Sequence, residues 1–380
     1  MSHSSLNKAK KKKNDEFYTQ YNDIEFEISA YLEYNPNLFQ NKTILLPCDD
    51  PEWSNFTKYF SQNFERFGLK KLISTSYALN SKNYKEGHQL SLLEENDNNF
   101  DKSKTSKNGK IFILSKDINK DGTINIEDLE WSYLEGDGDF RSAEVSKLRD
   151  EADIIITNPP FSIFREYLAW VTAKKKLFLL IANKGAATYK EVFPLIMDNK
   201  MWSGKTKWSG GLWFETKDKS DVDEVREGVD MKNVPAVWFT NIEHGRRHEP
   251  ISLMSLKDNL RFSKHKEIKG KKSYDKYCNY DAIEVPFYDA IPSDYEGVMG
   301  VPVTFLDKYC PEQFQIVGMC ENEDLYNLKT KIYNKIECKK AYMDKFGKEG
   351  VYDLNASGVI LKNGILEKVY SRILIRSICS

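Results

Sequence analysis

The sequence predicts an α/β fold built around a doubly wound, mostly parallel sheet. Its clearest element is the run Ile154–Ile156, which is too short for a helix, is β-branched and is soon followed by two prolines. Runs of this kind form strands that are buried inside parallel sheets. Similar apolar runs at 43–46 and 177–183 are each followed by a helical pattern. This alternation of strands and helices predicts a parallel sheet with helices packed against it.

The length and composition indicate an ordinary folded protein. With 380 residues, one large or two medium domains are expected. We find no signal peptide and no apolar run that could span a bilayer, so we expect no membrane contact. The six cysteines lack paired spacing, which favours free thiols in the cytoplasm and no metal site. The net charge of −1 means that binding to nucleic acid would depend on local basic patches.

The beginning of the chain contains a basic segment and a short aromatic motif. Residues 1–14 include a lysine run and are predicted to be a flexible N-terminus, with a mobile arm on phosphates as the alternative. The motif Phe17–Thr19 precedes a helical pattern, in which Asp15 or Thr19 could cap the helix.

The first predicted strand-turn-helix unit covers residues 43–67. Its strand, Thr43–Leu46, ends at an acidic turn that contains Cys48 and Asp49, and a helix is predicted over 54–67. In doubly wound sheets, ligands bind beyond the carboxyl ends of the strands. The turn contains no glycine, so we expect Cys48 and Asp49 to form the ligand contacts there.

Residues 80–130 are predicted to be an insertion that ends in a hairpin. Residues 80–110 are polar and aperiodic, and 110–114 have the pattern of a strand. The segment 117–128 matches part of a calcium-loop pattern, but its last position is Asp128 instead of glutamate, and a strand precedes it instead of a helix. We therefore expect a hairpin turn here and no calcium.

A glycine-rich loop lies 19 residues before Asn158. Its glycines permit close approach of the backbone, and it contains Asp139 and Phe140. The carboxylate of Asp139 could accept a hydrogen bond from an exocyclic amine, and the Phe140 ring could pack on the face of an adenine. The alternative is that Asp139 is a turn residue with a local backbone bond. The spacing to the next motif favours a cofactor contact.

The central motif is Asn158-Pro159-Pro160-Phe161, at the end of the buried strand. Prolines fix the backbone and have no N–H, so their carbonyls can face a ligand. The Asn158 oxygen and the Pro159 carbonyl could then accept both hydrogens of an exocyclic amine, while Phe161 stacks on its ring. A plain strand-to-loop turn is the alternative. The tetrapeptide resembles the catalytic motif of amino methyltransferases that act on adenine N6, cytosine N4 or amide nitrogens.

The periodicity changes after residue 243. The elements predicted before it are helices at 163–171 and 189–197 and strands at 177–183 and 237–242, the last as part of an antiparallel edge pair. Residues 244–380 are predicted to be a second region that recognises the target, with a charged helical stretch at 321–345. Its basic cluster contains Arg246 and Arg247, which are candidates for DNA contact.

Several segments together resemble the EcoRI-type adenine-specific DNA methyltransferases. The segments that recur in the same order in that family are 15–21, 48–51, 136–142, 157–162, 164–168, 188–193, 280–283 and 297–302. The resemblance covers most of the chain, and the departures are the long 80–130 stretch and much of 205–235 and 320–360.

This resemblance implies a monomeric, S-adenosylmethionine-dependent enzyme that methylates adenine N6 in double-stranded DNA. The implied fold is a Rossmann-like core at 15–243, with a mostly parallel seven-stranded sheet, and a target-recognition region at 244–380. The implied catalytic residues are Asn158, Pro159, Pro160 and Phe161. The implied cofactor-binding residues are Phe17, Tyr18, Thr19, Cys48, Asp49, Asp139, Phe140 and Asn158.

The biological role and two rival functions stay open at this point. The enzyme is expected either to modify DNA in a restriction-modification system or to act alone; a cognate endonuclease would share its site without binding to it. One rival is methylation of cytosine N4, an RNA base or a protein glutamine. The other is an inactive DNA-binding or calcium-binding module with a methyltransferase-like core.

Overall fold

A computed structural model describes residues 18–47, 49, 54–78, 101–216 and 219–378. The chain divides into two compact units. The first comprises the described residues up to Ala186 together with Met201–Gly245, and the second comprises Ala187–Lys200 and the described residues from Arg246 onward. The predicted flexible N-terminus and the predicted cofactor contacts Phe17 and Cys48 lie outside the described residues. The roles that we assigned to 15–243 and 244–380 stay predictions.

The strands of the first unit are numbered in chain order. They are β1 Tyr18–Thr19, β2 Thr43–Leu46, β3 Lys71–Ser76, β4 Lys110–Leu114, β5 Glu130–Tyr133, β6 Ile154–Thr157, β7 Leu177–Asn183, β8 Trp202–Ser203, β9 Leu212–Glu215, β10 Glu224–Arg226, β11 Val229–Val234 and β12 Ala236–Thr240. The helices up to the same point are α1 Tyr21–Tyr34, α2 Asn55–Gln62, α3 Phe64–Phe67, α4 Lys102–Thr105, α5 Ala143–Glu151, α6 Phe164–Thr172 and α7 Phe193–Met197, of which α7 belongs to the second unit.

The main sheet of the first unit contains eight strands within the described part of the chain, in the order β5-β4-β3-β2-β6-β7-β12-β8. The neighbours β3-β2, β2-β6 and β6-β7 pair in parallel, and the outer pairs are antiparallel. Six of the eight strands therefore run in one direction, which confirms a mixed, mostly parallel sheet. The predicted count of seven was too low. Strand β8 is only two residues long and extends the sheet beyond β12.

The isoleucine run lies at the centre of this sheet, as predicted. Ile154, Ile155 and Ile156 have no exposed surface, because β6 pairs with β2 on one side and with β7 on the other. Parallel strands that are covered on both faces require apolar residues at every position.

The predicted helix over 54–67 is interrupted in the structure. Helices α2 and α3 are separated at Asn63, whose side-chain amide donates to the carbonyl of Tyr59 over 2.8 Å. Asparagine competes for backbone groups in this way, which disfavours it inside helices. Gly68, with φ of +61°, then ends α3 in a left-handed conformation.

A second, smaller sheet in the first unit has the order β1-β9-β11-β10, with antiparallel pairing throughout. Strand β1 contains Tyr18 and Thr19, and Thr19 lies opposite Phe214 of β9. Thr19 is therefore a strand residue, and Gln20 is the residue that precedes α1.

The second unit is built mainly from short strands. Its elements after residue 245 are helices α8 Leu256–Phe262 and α9 Lys335–Phe346 and strands β13 Ala282–Glu284, β14 Val298–Pro302, β15 Phe314–Met319, β16 Val359–Lys362, β17 Ile365–Lys368 and β18 Arg372–Ser377. The sheet has the order β13-β14-β18-β15, and β16 and β17 form a hairpin. Helix α9 is shorter than the predicted 321–345. Asp324 accepts from the amides of Leu328 and Lys329, which forms a turn instead of a helix.

Among the residues that the structure describes, every helix is too short or too polar to span a bilayer.

Candidate active site

The candidate site lies at the carboxyl ends of the parallel strands. Strands β2, β3 and β6 run in the same direction, so the residues that follow them meet at one edge of the sheet. These residues include Asp49 after β2 and Asn158 after β6. Open α/β sheets bind ligands at this edge.

The two prolines of the motif differ in how their carbonyls are used. The Pro160 carbonyl accepts from the Ile163 amide over 3.2 Å, within the short 3₁₀ turn Phe161–Ile163. The Pro159 carbonyl accepts no hydrogen bond from the described residues of the chain. Because a buried carbonyl ordinarily has a partner, the Pro159 carbonyl is the one that is suited to accept from a ligand.

The Asn158 side chain contacts Thr19. Its Nδ2 donates to Thr19 Oγ1 over 3.4 Å, and the carbonyl of Thr19 accepts from Asn55 Nδ2 over 2.8 Å. Thr19 is buried, with 5% of its surface exposed, whereas Asn158 is half-buried. The structure thus brings together two predicted site residues that lie 139 positions apart in the chain.

Asp49 is connected to the motif through hydroxyl groups. Its Oδ2 accepts from Thr157 Oγ1 over 2.7 Å and its Oδ1 accepts from Ser54 Oγ over 3.0 Å. Its backbone carbonyl accepts from the Ser74 hydroxyl. Only 8% of Asp49 is exposed. Asp49 therefore reaches the residue next to Asn158, but its carboxylate is turned toward the protein.

Comparison with known proteins identifies the family of the chain. The family model for the adenine-specific methyltransferase EcoRI matches residues 5–377 of the chain. The chain belongs to this methyltransferase family. This membership confirms the predicted resemblance and the predicted activity, an adenine-specific methyltransferase. The family match also distinguishes this activity from the rival methylation of cytosine, RNA or glutamine.

Three related proteins show how much of the chain the similarity covers. The Type II methyltransferase M.EcoRI of Escherichia coli is 41% identical over 325 residues, which are 84% of this chain and 90% of that protein. M.MpnI of Mycoplasma pneumoniae is 33% identical over 86% of this chain and 90% of its own length. M.MgeORF184P of Mycoplasma genitalium is 32% identical over 87% of this chain and 92% of its own length. No solved structure matches the chain significantly.

In this member of the EcoRI methyltransferase family, Asp139 forms an ion pair. Its Oδ2 accepts from Arg141 Nη2 over 2.9 Å, and its Oδ1 accepts from the Arg141 amide and Nε. Arg141 Nη1 also lies 2.7 Å from Glu166 Oε2. The hydrogen bond to Asp139 raises the pKa of Arg141 above its ordinary value, so the guanidinium stays charged. The hydrogen bond from the Arg141 amide to Asp139 is the local backbone bond that we gave as the alternative.

The loop that carries Asp139 packs closely against the end of β3. Gly138 has φ of +87°, and a Cβ there would lie 2.4 Å from the carbonyl oxygen of Ser76. The Ala78 amide donates to the Asp137 carbonyl over 3.0 Å. Any other residue at position 138 would collide with the strand, so the glycine places Asp139 at the ligand edge.

The structure places Phe140 differently from the expected ring-stacking position. Its ring has no exposed surface and packs against Tyr167 and Trp170, with ring centroids 4.9 and 5.6 Å apart. The phenyl group is part of the core beneath the loop, because three aromatic rings bury one another there. Its packing supports the loop instead of presenting a face to a ligand.

Arg246 and Arg247 also have partners inside the second unit. Arg246 Nη2 lies 2.6 Å from Asp307 Oδ1, with 7% of its side chain exposed, and Arg247 Nη2 donates to Asn199 Oδ1 over 2.9 Å. The two guanidinium groups thus make protein contacts, and DNA contact by either of them stays a prediction.

The calcium-like segment 117–128 uses its carboxylates for backbone hydrogen bonds. Asp117 accepts from the amides of Lys120 and Gly122, and Asp128 accepts from those of Ile118 and Asn119. Strands β4 and β5 pair on either side of it, as expected for a hairpin. In the described part of the chain, no group of three or more His, Cys, Asp or Glu side chains could hold a metal ion.

The hydroxyl network around Asp49 was not predicted. Thr157 and Ser54 bind the carboxylate, and Ser74, which binds its carbonyl, also lies 3.2 Å from Thr57 Oγ1. All four hydroxyl residues are buried. The signal for them in the sequence was weak: polar residues within apolar runs, such as Ser74 near the end of β3.

Proposed function

We propose that this enzyme transfers a methyl group from S-adenosylmethionine to N6 of an adenine that is flipped out of duplex DNA. Three relatives carry the name Type II methyltransferase, which supports a role as the modification enzyme of a restriction-modification system. A cognate endonuclease would recognise the same DNA without binding to this chain, and we expect the enzyme to act as a monomer. The observation that carries the proposal is the pair of acceptors at Asn158 and Pro159.

The chemistry of these two residues suits an exocyclic amine. The lone pair of such an amine is conjugated with the ring and is a poor nucleophile. When Asn158 Oδ1 and the Pro159 carbonyl accept both N–H groups, the nitrogen becomes pyramidal and its lone pair is localised. These contacts strengthen as positive charge develops on the nitrogen, so they lower the barrier in addition to binding the base.

The target base must leave the helix to reach this edge. Flipping costs a few kcal/mol of lost stacking and pairing. Phe161 follows the prolines and is half-buried, and stacking on its ring would return about 1–3 kcal/mol. We expect the 244–380 region to supply the DNA contacts that select the site.

The described residues fit S-adenosylmethionine at the same edge. Asp139 Oδ2 accepts one hydrogen bond from the described residues, which leaves lone pairs for an amine or hydroxyl of the ligand. Asn158, which follows β6, adds a half-buried polar side chain at the same edge. The cofactor supplies an electrophilic methyl group, and these side chains would orient it beside the target amine.

The test is a comparison of Asn158→Ala with the wild-type enzyme. The transferred label from tritiated S-adenosylmethionine is measured on unmethylated plasmid DNA, and nucleosides from the digested DNA are identified by mass spectrometry. We expect N6-methyladenine from the wild type and a rate at least about 100-fold lower from Asn158→Ala, the scale of one lost transition-state contact.

Controls separate chemistry from binding. The affinities for DNA and cofactor should survive in Asn158→Ala, and Asn37→Ala, which removes the side-chain amide of an exposed asparagine, should behave as wild type. A wild-type rate for Asn158→Ala would remove the motif from the chemistry. A methylated nucleoside other than N6-methyladenine would contradict the proposed substrate.

A further inference from the structure

We propose that Thr19 is a positioning residue for the catalytic amide. Its hydroxyl holds Asn158 Nδ2, so that Oδ1 is directed toward the target amine. This inference rests on the proposed role of Asn158. It assigns to Thr19 a function in the methyl-transfer step itself, which differs from the cofactor contact that the family resemblance implies.

The two ends of an asparagine side chain differ chemically. The amide is planar, and it carries an acceptor on one side and a two-hydrogen donor on the other. Only one of its two orientations presents an acceptor to an incoming N–H group. In the opposite orientation, Nδ2 would face the amine of the target base, donor against donor, and the contact that the reaction needs would be lost.

In the structure, the donor end of the Asn158 amide faces Thr19. Asn158 Nδ2 points toward Thr19 Oγ1 at 3.4 Å, and the planarity of the amide then directs Oδ1 away from Thr19. A hydrogen bond that is present before the substrate arrives reduces the reorganisation needed at the moment of reaction, which is the basis of preorganised catalysis.

Thr19 is itself held firmly by two neighbouring elements. Strand β1 pairs with β9, with Thr19 opposite Phe214, and Asn55 Nδ2 at the start of α2 donates to the Thr19 carbonyl over 2.8 Å. Thr19 is also a β-branched residue in a strand, which restricts its side chain to few rotamers. A hydroxyl fixed in this way can hold the Asn158 amide in one orientation.

The two roles for Thr19 predict changes in different measured quantities, the rate of methyl transfer or the affinity for the cofactor. A positioning residue determines the rate constant of methyl transfer when cofactor and DNA are saturating, and its loss leaves the cofactor affinity unchanged. A residue that only contacts the cofactor determines the dissociation constant of the cofactor, and its loss leaves the rate at saturation unchanged. Separate measurement of these two quantities distinguishes the roles.

The experiment compares Thr19→Val, which removes the hydroxyl but keeps the shape, with Thr19→Ser, which keeps the hydroxyl. Thr172→Val is the matched control, because it also removes a threonine hydroxyl that forms a hydrogen bond. Thr172 is the last residue of α6, and its hydroxyl donates to the Leu168 carbonyl of the same helix. Single-turnover transfer from tritiated S-adenosylmethionine to unmethylated plasmid DNA gives the rate, and calorimetry gives the cofactor affinity. If Thr19→Val does not fold, as judged by circular dichroism, Thr19→Ala replaces it.

We expect Thr19→Val to be about tenfold slower at saturation, the scale of one lost hydrogen bond. Thr19→Ser should restore most of the rate, Thr172→Val should match the wild type, and all three variants should bind the cofactor normally. A wild-type rate for Thr19→Val, or a slow Thr19→Ser, overturns the inference, as does a change confined to cofactor affinity. A wild-type rate for Asn158→Ala would instead overturn the proposed function, so the two failures are distinguishable.

Discussion

The two units bury carboxylates in different ways. In the first unit, Asp49 follows β2 and accepts from the hydroxyls of Thr157 and Ser54. In the second unit, Glu284 is the last residue of β13 and accepts from the guanidinium of Arg372 and the hydroxyl of Tyr277. Both carboxylates lie at the ends of strands that pair in parallel.

The different donors indicate that the two buried carboxylates have different roles. Hydroxyl donors orient a carboxylate with modest energies, and one of those donors, Thr157, is adjacent to Asn158. A guanidinium instead supplies a compensating charge, and 9% of the Arg372 side chain and 6% of the Glu284 side chain are exposed. Burial raises the pKa of Tyr277 well above its ordinary value, so the phenol remains a donor. We propose that the first arrangement supports the candidate site and that the second stabilises the fold.

Among the substitutions that test this difference, Arg372→Met should have the largest effect. Removing one partner of a buried pair leaves the other charge uncompensated, which destabilises a protein by about 3–5 kcal/mol. We expect this loss to be concentrated in the second unit. Hydrogen exchange measured by mass spectrometry should show faster exchange in peptides from β14, β15 and β18, the strands of the same sheet.

Arg376→Met provides the matched control for this experiment. Arg376 lies in the same strand, but it is exposed, so its loss should leave the exchange rates near those of the wild type. Equal exchange in the two variants would contradict a structural role for the Glu284–Arg372 pair.

A smaller effect is expected from Thr157→Val, which removes one hydroxyl from the Asp49 carboxylate. Hydrogen bonds to charged groups contribute about 1.5–3 kcal/mol, and thermal denaturation should show a loss of stability in this range. Because Thr157 is the residue before Asn158 in the chain, we expect the rate of methyl transfer at saturation to fall as well.

Thr157→Ser tests whether the hydroxyl is responsible. Serine keeps the donor to Asp49 and lacks only a methyl group, so most of the stability and of the rate should return. If Thr157→Ser is as slow as Thr157→Val, the packing of the methyl group and not the hydrogen bond supports the motif.

Much of the fold could be predicted because the relevant signals are local. The run Ile154–Ile156 fits only a buried strand, and the prolines that follow it mark the end of that strand. The helical stretch predicted over 321–345 was too long, because charge and approximate periodicity do not reveal the turn at Asp324. Strand β8, with two residues, is defined by its pairing partner and not by its own composition.

The candidate site could be predicted in part. The motif at Asn158 was recognisable from four consecutive residues, but the contact between Asn158 and Thr19 depends on β1 pairing with β9. The sequence also does not reveal which way a side chain turns. An aromatic residue next to an aspartate, as at Phe140 and Asp139, is typical of a ligand contact. The Phe140 ring nevertheless lies in the core.

The smallest expected effect separates the two tasks of Ser54. Its hydroxyl donates to Asp49 and also accepts from the Phe56 amide as the N-cap of α2. Ser142 caps α5 by accepting from the Val145 amide. Loss of either cap in a Ser→Ala variant should destabilise the protein by about 0.5–2 kcal/mol in thermal denaturation. Only Ser54→Ala should also slow methyl transfer at saturation, because only Ser54 holds the carboxylate that binds Thr157. Equal rates in the two variants would show that Ser54 acts as a helix cap alone.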